Sequence, residues 1–319
     1  MRRLSKRTIA KFFVFVISFV AITSGFSACT ASIENDRIGA RPSSYSQPEV
    51  AGIITAADLA ESSGIAASKC SPDVYWTHND SGDEAFVFAF GPKAELLGKW
   101  RVVGAENRDW EDIAEFKDKH GKCTLYVGDI GDNSSKRSEL TIYRISEPAV
   151  YPGENPASAN IRETPAAEIL KFRYPDGPHD AETLLVHPVS GEIYVLTKKV
   201  DGPSGVYRVA PDFGKGDVVT AQKVSDLKVP SVPNGLLTGG DISPDGKRLV
   251  VCDYTNGYEL ELPSGSTNFD DIWKQQPETL NLGKRLLGEA VCYTADGTSI
   301  LATSEKRGQP LIRITKLAK

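Results

Sequence analysis

The chain has 319 residues, with 37 Lys and Arg against 42 Asp and Glu, and a net charge of −5. Five of the basic residues and none of the acidic ones lie in the first 29 residues, which leaves 32 basic and 42 acidic residues and a net charge of −10 for the remainder. No Lys/Arg cluster follows residue 30, so the composition excludes nucleic acid and anionic lipid as electrostatic partners.

The first 29 residues have the layout of an export signal. Five basic residues precede an apolar run from Phe12 to Ile22, and the segment ends Phe26-Ser27-Ala28-Cys29, which resembles the lipobox of bacterial lipoproteins. We therefore expect export to the cell envelope and a lipid anchor on Cys29 outside the cytoplasmic membrane. Ordinary secretion with cleavage nearby and an uncleaved single-span anchor are the alternatives.

Residues 30–49 are polar, contain Pro, Ser and Gly, and show no apolar period, which is typical of a solvated tether. Residues 50–319 then form one folded domain, which we expect to be a monomer.

Five repeated units follow along the chain, and such a repeat indicates a solenoid or a propeller. Each unit opens with a small or acidic residue and a short apolar strand, followed by a turn, a β-rich strand and a third strand of alternating apolar residues. The openings are Ser63-Gly64-Ile65-Ala66, Glu111-Asp112-Ile113-Ala114, Glu182-Thr183-Leu184-Leu185, Thr238-Gly239-Gly240-Asp241-Ile242 and Glu289-Ala290-Val291-Cys292.

The pattern predicts an all-β fold, a β-propeller of five blades. Fourth strands are expected near 97–103, 168–174, 221–227 and 278–282, whereas the fifth unit runs out of chain. The segment from Glu49 to Leu59 has strand character and can complete the last blade, which closes the ring and protects the sheet edges. Six blades would require another unit within 146–178 or 200–237.

The innermost strand of each blade lines the channel of a propeller, so equivalent first residues form a ring at its mouth. This predicted ring consists of Ser63, Glu111, Glu182, Thr238 and Glu289, backed by Asp112, Asp180 and Asp241. Crowded carboxylates stay ionised only beside a positive charge, and ligands made of oxygen alone favour a hard cation, Ca²⁺ before Mg²⁺. The alternative is a channel of solvated acids without a metal.

The ends of the second strands are expected to add a polar layer to the same face. Its predicted residues are His78, Asn79, Asp80, Asp129, Asp132, Asn133, Lys198, Asp253 and Glu305. The mixture of acids, amides and Lys is typical of a binding site, although Asp and Asn in turns also serve their own backbone.

Besides Cys29, four cysteines remain, an even number that favours disulfides in an oxidising compartment. If the blades are assigned correctly, Cys70 with Cys123 and Cys252 with Cys292 would each join neighbouring blades.

Two family resemblances are apparent. WTHNDSGD (76–83), NRDWEDIA (107–114), LYVGDIGDN (125–133), YPDGPHDAETLLV (174–186) and SPDGKRLVV (243–251) resemble a family of secreted bacterial β-propeller proteins without an assigned activity. The order of the blade openings is similar to calcium-activated nucleotidases (apyrases), five-bladed propellers with one Ser or Glu per blade around a central Ca²⁺. This second resemblance implies the same ion at the predicted ring.

Two functions are consistent with the sequence. The first is a membrane-anchored scaffold in which Ca²⁺ stiffens the ring and the acidic face holds a protein or small-molecule ligand. The second is a Ca²⁺-dependent hydrolase of phosphate or ester substrates, with His78, Asp80 or Asp129 as base and Lys198 steadying the anion.

Overall fold

The computed structural model describes residues 43–151 and 162–318. The predicted signal, Cys29 and the tether up to residue 42 lie outside the described residues. The described part of the chain forms 22 β-strands in five separate sheets and a short 3₁₀ helix at Phe269–Lys274. Each sheet is one blade, so the prediction of an all-β, five-bladed propeller is confirmed.

The first two blades each carry one extra, short edge strand that pairs in parallel. Blade 1 contains β2 (Ser62–Ala67), β3 (Tyr75–Asn79), β4 (Phe86–Phe90), β5 (Leu96–Arg101) and the edge strand β9 (Arg162–Glu163). Blade 2 contains β6 (Trp110–Lys117), β7 (Cys123–Asp129), β8 (Leu140–Ser146), β10 (Glu168–Arg173) and the edge strand β14 (Val218–Thr220).

The other three blades have four antiparallel strands each. Blade 3 contains β11 (Ala181–Val186), β12 (Ile193–Thr197), β13 (Ser204–Val209) and β15 (Gln222–Leu227). Blade 4 contains β16 (Gly239–Ile242), β17 (Arg248–Cys252), β18 (Gly257–Glu261) and β19 (Glu278–Leu280). Blade 5 contains β20 (Gly288–Tyr293), β21 (Ser299–Ser304), β22 (Pro310–Thr315) and β1 (Glu49–Ile53).

The core lies between the blades. Five hydrophobic clusters each contain residues of two neighbouring blades, and together they run around the ring. Strands inside a blade are buried on both faces, which explains why β4 (FVFAF), the third strand of blade 1, is apolar throughout. The outer strand β10 alternates instead, with Leu170 and Phe172 buried and their neighbours exposed.

The ring closes as predicted, because β1 pairs antiparallel with β22. Residues 43–48, which the sequence assigned to the tether, also contact the domain. Tyr45 is buried and forms an isolated antiparallel β-bridge with Lys316. Its hydroxyl donates a hydrogen bond of 2.6 Å to Glu259. The described domain therefore includes the chain from residue 43 onward.

The disulfide between Cys70 and Cys123 is confirmed. It joins the segment after β2 to the beginning of β7, with the two Cα atoms 6.1 Å apart, and so links blades 1 and 2. A bridge between blades restricts the unfolded chain.

The second predicted disulfide is wrong, because Cys252 and Cys292 are free and buried. Successive side chains of a strand point to opposite faces. In β20, Val291 packs with Cys252 between blades 4 and 5, whereas Cys292 packs between blades 5 and 1. Adjacent strands were therefore correctly identified, but the two thiols face different interfaces.

Candidate metal centre at the channel mouth

Three glutamates share one position at the beginning of an inner strand. Glu111, Glu182 and Glu289 each lie at a β-bulge, where the pairing with the second strand shifts by one residue. A bulge adds one residue to one strand and re-aims its side chain. The inner strands of successive blades contact one another around the axis. The same irregularity in blades 2, 3 and 5 thus presents a carboxylate at the same mouth of the channel.

The two hydroxyl residues of the predicted ring bind backbone instead. Ser63 Oγ donates to the carbonyl oxygen of Glu111 at 2.8 Å, and Thr238 Oγ1 donates to that of Gly288 at 2.9 Å. Both side chains are buried. Each hydroxyl therefore connects the opening of its own blade to the opening of the next.

Three carboxylates that lie close together in the described part of the chain differ from the predicted ring. Oxygens of Asp80, Asp109 and Glu111 all lie within 4.8 Å of one another. Asp80 follows β3, Asp109 precedes β6, and Glu111 is the bulge residue of β6, so the group spans the junction of blades 1 and 2. Within the described ranges, Glu111, Glu182 and Glu289 do not form such a group with one another. Oxygen ligands at this spacing suit a hard divalent cation.

These three carboxyl groups share an environment that disfavours negative charge. Burial, followed by the charges of Asp109, Glu305 and Glu61, raises the pKa of Asp80 to about 6 even though a hydrogen bond from Ser81 opposes it. Burial also raises the pKa of Asp109 and, more strongly, that of Glu111, whose acidic neighbours add to the effect. A cation among them would offset both causes.

Glu182 already has a positive partner. Lys198, which follows β12, is ion-paired with Glu182, and both side chains are largely buried. Burial raises the pKa of Glu182 to about 7, and Lys198 opposes that rise. The Lys198 ammonium also lies 5.2 Å from the ring centre of Tyr254. Lys198 therefore supplies an internal cation to the mouth, on the side of blades 3 and 4.

Glu289 lies beside Glu305, which follows β21. Burial, then the hydrogen bond with Glu305, raises the pKa of Glu289 to about 10. Glu289 therefore carries a proton at neutral pH. Together with the Lys198 pair, this proton reduces the negative charge of the mouth.

Two aspartates deeper in the inner strands join successive blades. Asp112 accepts hydrogen bonds from the backbone N–H of Ile113 at 2.8 Å and of Leu184 in blade 3 at 2.9 Å. Asp241 does the same for Ile242 at 2.8 Å and Tyr293 of blade 5 at 2.9 Å. Their carboxylates bind backbone amides and act as links between blades.

The predicted catalytic bases are enclosed or paired. His78 is fully buried against Trp110, and burial lowers its pKa to about 4, so the ring is neutral at physiological pH. Asp129 is ion-paired with Arg137, with Oδ1 2.7 Å from Nη1. Lys198 is occupied by Glu182. Of the four candidates, Asp80 belongs to the carboxylate group itself.

Several other predicted residues of the face stabilise turns. Asn79 Oδ1 accepts from the backbone of Ala60 and Glu61, both at 3.0 Å. Asp132 accepts from Arg137 N at 2.6 Å, and its own N–H donates to Asp180 at 2.7 Å. The remaining predicted residues are Asp253, which accepts from Tyr258 Oη at 2.6 Å, and Asn133, which is exposed.

Sequence reasoning missed Asp109 and Arg137. Asp109 and Glu111 are two residues apart in NRDWEDIA, the spacing that places side chains on one side of an extended chain. That spacing could have identified Asp109. Arg137 lies in the loop between β7 and β8, and no local sequence pattern indicates that its side chain pairs with Asp129.

Comparison with known proteins gives no family. No family model matches the chain, and no curated protein matches it. Among solved structures, a luciferin-regenerating enzyme is similar, with 11% sequence identity, a TM-score of 0.42, and coverage of 85% of this chain and 96% of that one. Within the described residues, no helix has the length and apolar character needed to cross a membrane.

Proposed function

We propose that this protein is an exported, lipid-anchored propeller that binds a divalent cation, Ca²⁺ first, and uses the charged face around it to hold a ligand. One observation carries the cation: oxygens of Asp80, Asp109 and Glu111, from two blades, lie within 4.8 Å of one another. The ion would join blades 1 and 2 on the acidic face. The similarity of the blade openings to calcium-activated nucleotidases supports calcium as the ion.

The contacts favour the scaffold over the hydrolase. A hydrolase of the kind considered above needs a base that reaches a substrate and a lysine that is free to bind an anion. His78 is enclosed, whereas Asp129 and Lys198 have ionic partners. A bound ion that stabilises the ring requires none of these groups to be free.

Calcium titration tests the cation site. The full chain with Cys29→Ser, which prevents acylation, would be titrated by calorimetry and melted with and without calcium. We expect one saturable site and a higher Tm with calcium. Asp109→Asn combined with Glu111→Gln should abolish both effects, whereas Glu163→Gln combined with Asp217→Asn, two exposed acids elsewhere, should change neither. A calcium response that survives in the first double variant would refute the site.

The anchor has its own test. Mass spectrometry of the wild-type protein from a membrane fraction should find Cys29 as the N-terminal residue with a diacylglyceryl group. Cys29→Ser should move the protein out of that fraction. A mature chain that begins elsewhere and carries no lipid would contradict the anchor.

A further inference from the structure

A cavity of about 480 Å³ lies beside the metal centre, between the segment before β6 and the loop between β7 and β8. Four basic side chains line it: Arg108, Lys136, Arg137 and Lys171. Three acidic side chains line it as well: Glu106, Asp129 and Glu139. The lining is therefore net positive, although the chain as a whole has a charge of −5.

Arg137 lies at the buried inner end of this cavity. Its side chain is 7% exposed, and Nη1 binds Asp129 Oδ1 at 2.7 Å and the carbonyl oxygen of Gly131 at 2.8 Å. Its Nε is buried and has no hydrogen-bond partner among the described residues. A buried donor without an acceptor is unfavourable, so this guanidinium retains the capacity to donate to an anion.

The exposed cations surround the same space. The backbone N–H of Arg108 donates to Asp129 Oδ2 at 3.3 Å, which places Arg108 next to the buried pair. Lys171 is opposite Thr141 in the pairing of β10 with β8. Because Asp129 is neutralised by Arg137, three cations face two remaining acids, Glu106 and Glu139. Arg and Lys together recognise phosphoryl oxygens, and the volume suits a small organic molecule.

We propose that this cavity binds the phosphoryl group of a small phosphomonoester. A phosphoryl dianion offers several oxygens, so it can contact more than one of these cations, which a single carboxylate does less well. The inference deepens the proposed function and partly rests on it, because the charges of Arg137 and Asp109 interact. A cation on Asp109 would cancel the nearby negative charge that opposes an anion. Phosphate and calcium should therefore bind cooperatively.

The test uses inorganic phosphate and methyl phosphate with the full Cys29→Ser chain. Binding would be measured by calorimetry in EDTA and again at a fixed calcium concentration, with acetate as the carboxylate probe. We expect one saturable site, tighter with calcium. Lys136→Gln combined with Lys171→Gln should weaken binding about tenfold or more, the loss of at least one charge-assisted hydrogen bond. Lys215→Gln combined with Lys274→Gln removes the same charge outside the cavity and should have little effect.

The outcomes separate the cavity from the metal centre. Phosphate binding in EDTA that depends on Lys136 and Lys171 supports the cavity even if calcium does not bind at all. Equal losses in the two double variants, or acetate binding as tight as phosphate, would overturn it. The absence of saturable phosphate binding under both conditions would also overturn the cavity proposal. The calcium titration tests the metal centre separately.

Discussion

The ammonium group of Lys198 is ion-paired with the carboxylate of Glu182 at the channel mouth, so one of the three bulge glutamates has a cation supplied by the chain itself. Burial lowers the pKa of Lys198, but the charge of Glu182 and the hydrogen bond to it raise the pKa by more, so the net effect is a raised pKa. The ammonium is therefore charged at every physiological pH. It pairs with one of the carboxylates to which the sequence assigned an ion.

Replacing Lys198 should make the stability of the protein depend more strongly on calcium. In Lys198→Gln the buried Glu182 loses its partner, which costs about 3 kcal/mol of stability without calcium. The same change removes a repelling charge, so we expect calcium to bind about tenfold more tightly. Melting curves and calorimetry with and without calcium measure both effects. Lys223→Gln, which breaks an exposed pair with Asp226, is the matched control. A calcium affinity equal to wild type would show that Lys198 does not affect the site.

The fold was predictable because one unit recurs five times. The openings at Glu111, Glu182 and Glu289 have the same local pattern, and each of these three blades has the same bulge. The closing strand could be inferred because the fifth unit lacked a fourth strand. A repeated pattern in the sequence thus identified the blades and the strand that closes the ring.

The partners of the site residues were less predictable. The proximity of Asp80 to Asp109 arises across the junction of two blades. Lys198 pairs with Glu182, the bulge residue of the adjacent strand. Sequence patterns identify which residues share a layer, but side-chain directions decide which of them meet. The same limit explains Cys252 and Cys292, whose strands are adjacent while their thiols face different interfaces.

The disulfide should account for a measurable part of the stability. Cys70→Ser combined with Cys123→Ser removes a bridge across 53 residues, and we expect a loss of about 2–4 kcal/mol in the free energy of unfolding. Chemical denaturation checks this value. As a control, alkylation of the denatured, unreduced protein should label Cys252 and Cys292 and leave Cys70 and Cys123 unmodified. Labelling of all four would contradict the pairing.

Asp241 should make stability decline with rising pH in the acidic range. Burial raises its pKa to about 6, while Lys69 and two backbone amides lower it. In the unfolded chain the ordinary pKa is about 3.9, so between pH 4 and 6 the folded state binds more protons than the unfolded state. Stability is thus reduced as pH rises through this window. The difference between wild type and Asp241→Asn, measured by denaturation at pH 4 and pH 7, isolates this contribution. A difference that is the same at both values would contradict it.

The segment from residue 43 should stabilise the closed ring through Glu259. Its Oε1 accepts from the hydroxyls of Tyr45 at 2.6 Å and Tyr293 at 2.8 Å and from Arg248 at 3.1 Å, which joins the N-terminal segment to blades 4 and 5. Tyr45→Phe removes one charge-assisted hydrogen bond and should cost about 1–2 kcal/mol. Val50→Ala changes an exposed residue of β1 and should stay within about 0.5 kcal/mol. A chain beginning at residue 50 should lose more than Tyr45→Phe, because it loses the buried tyrosine ring as well. Equal stability of the chains beginning at residues 43 and 50 would show that closure depends on the β1–β22 pairing alone.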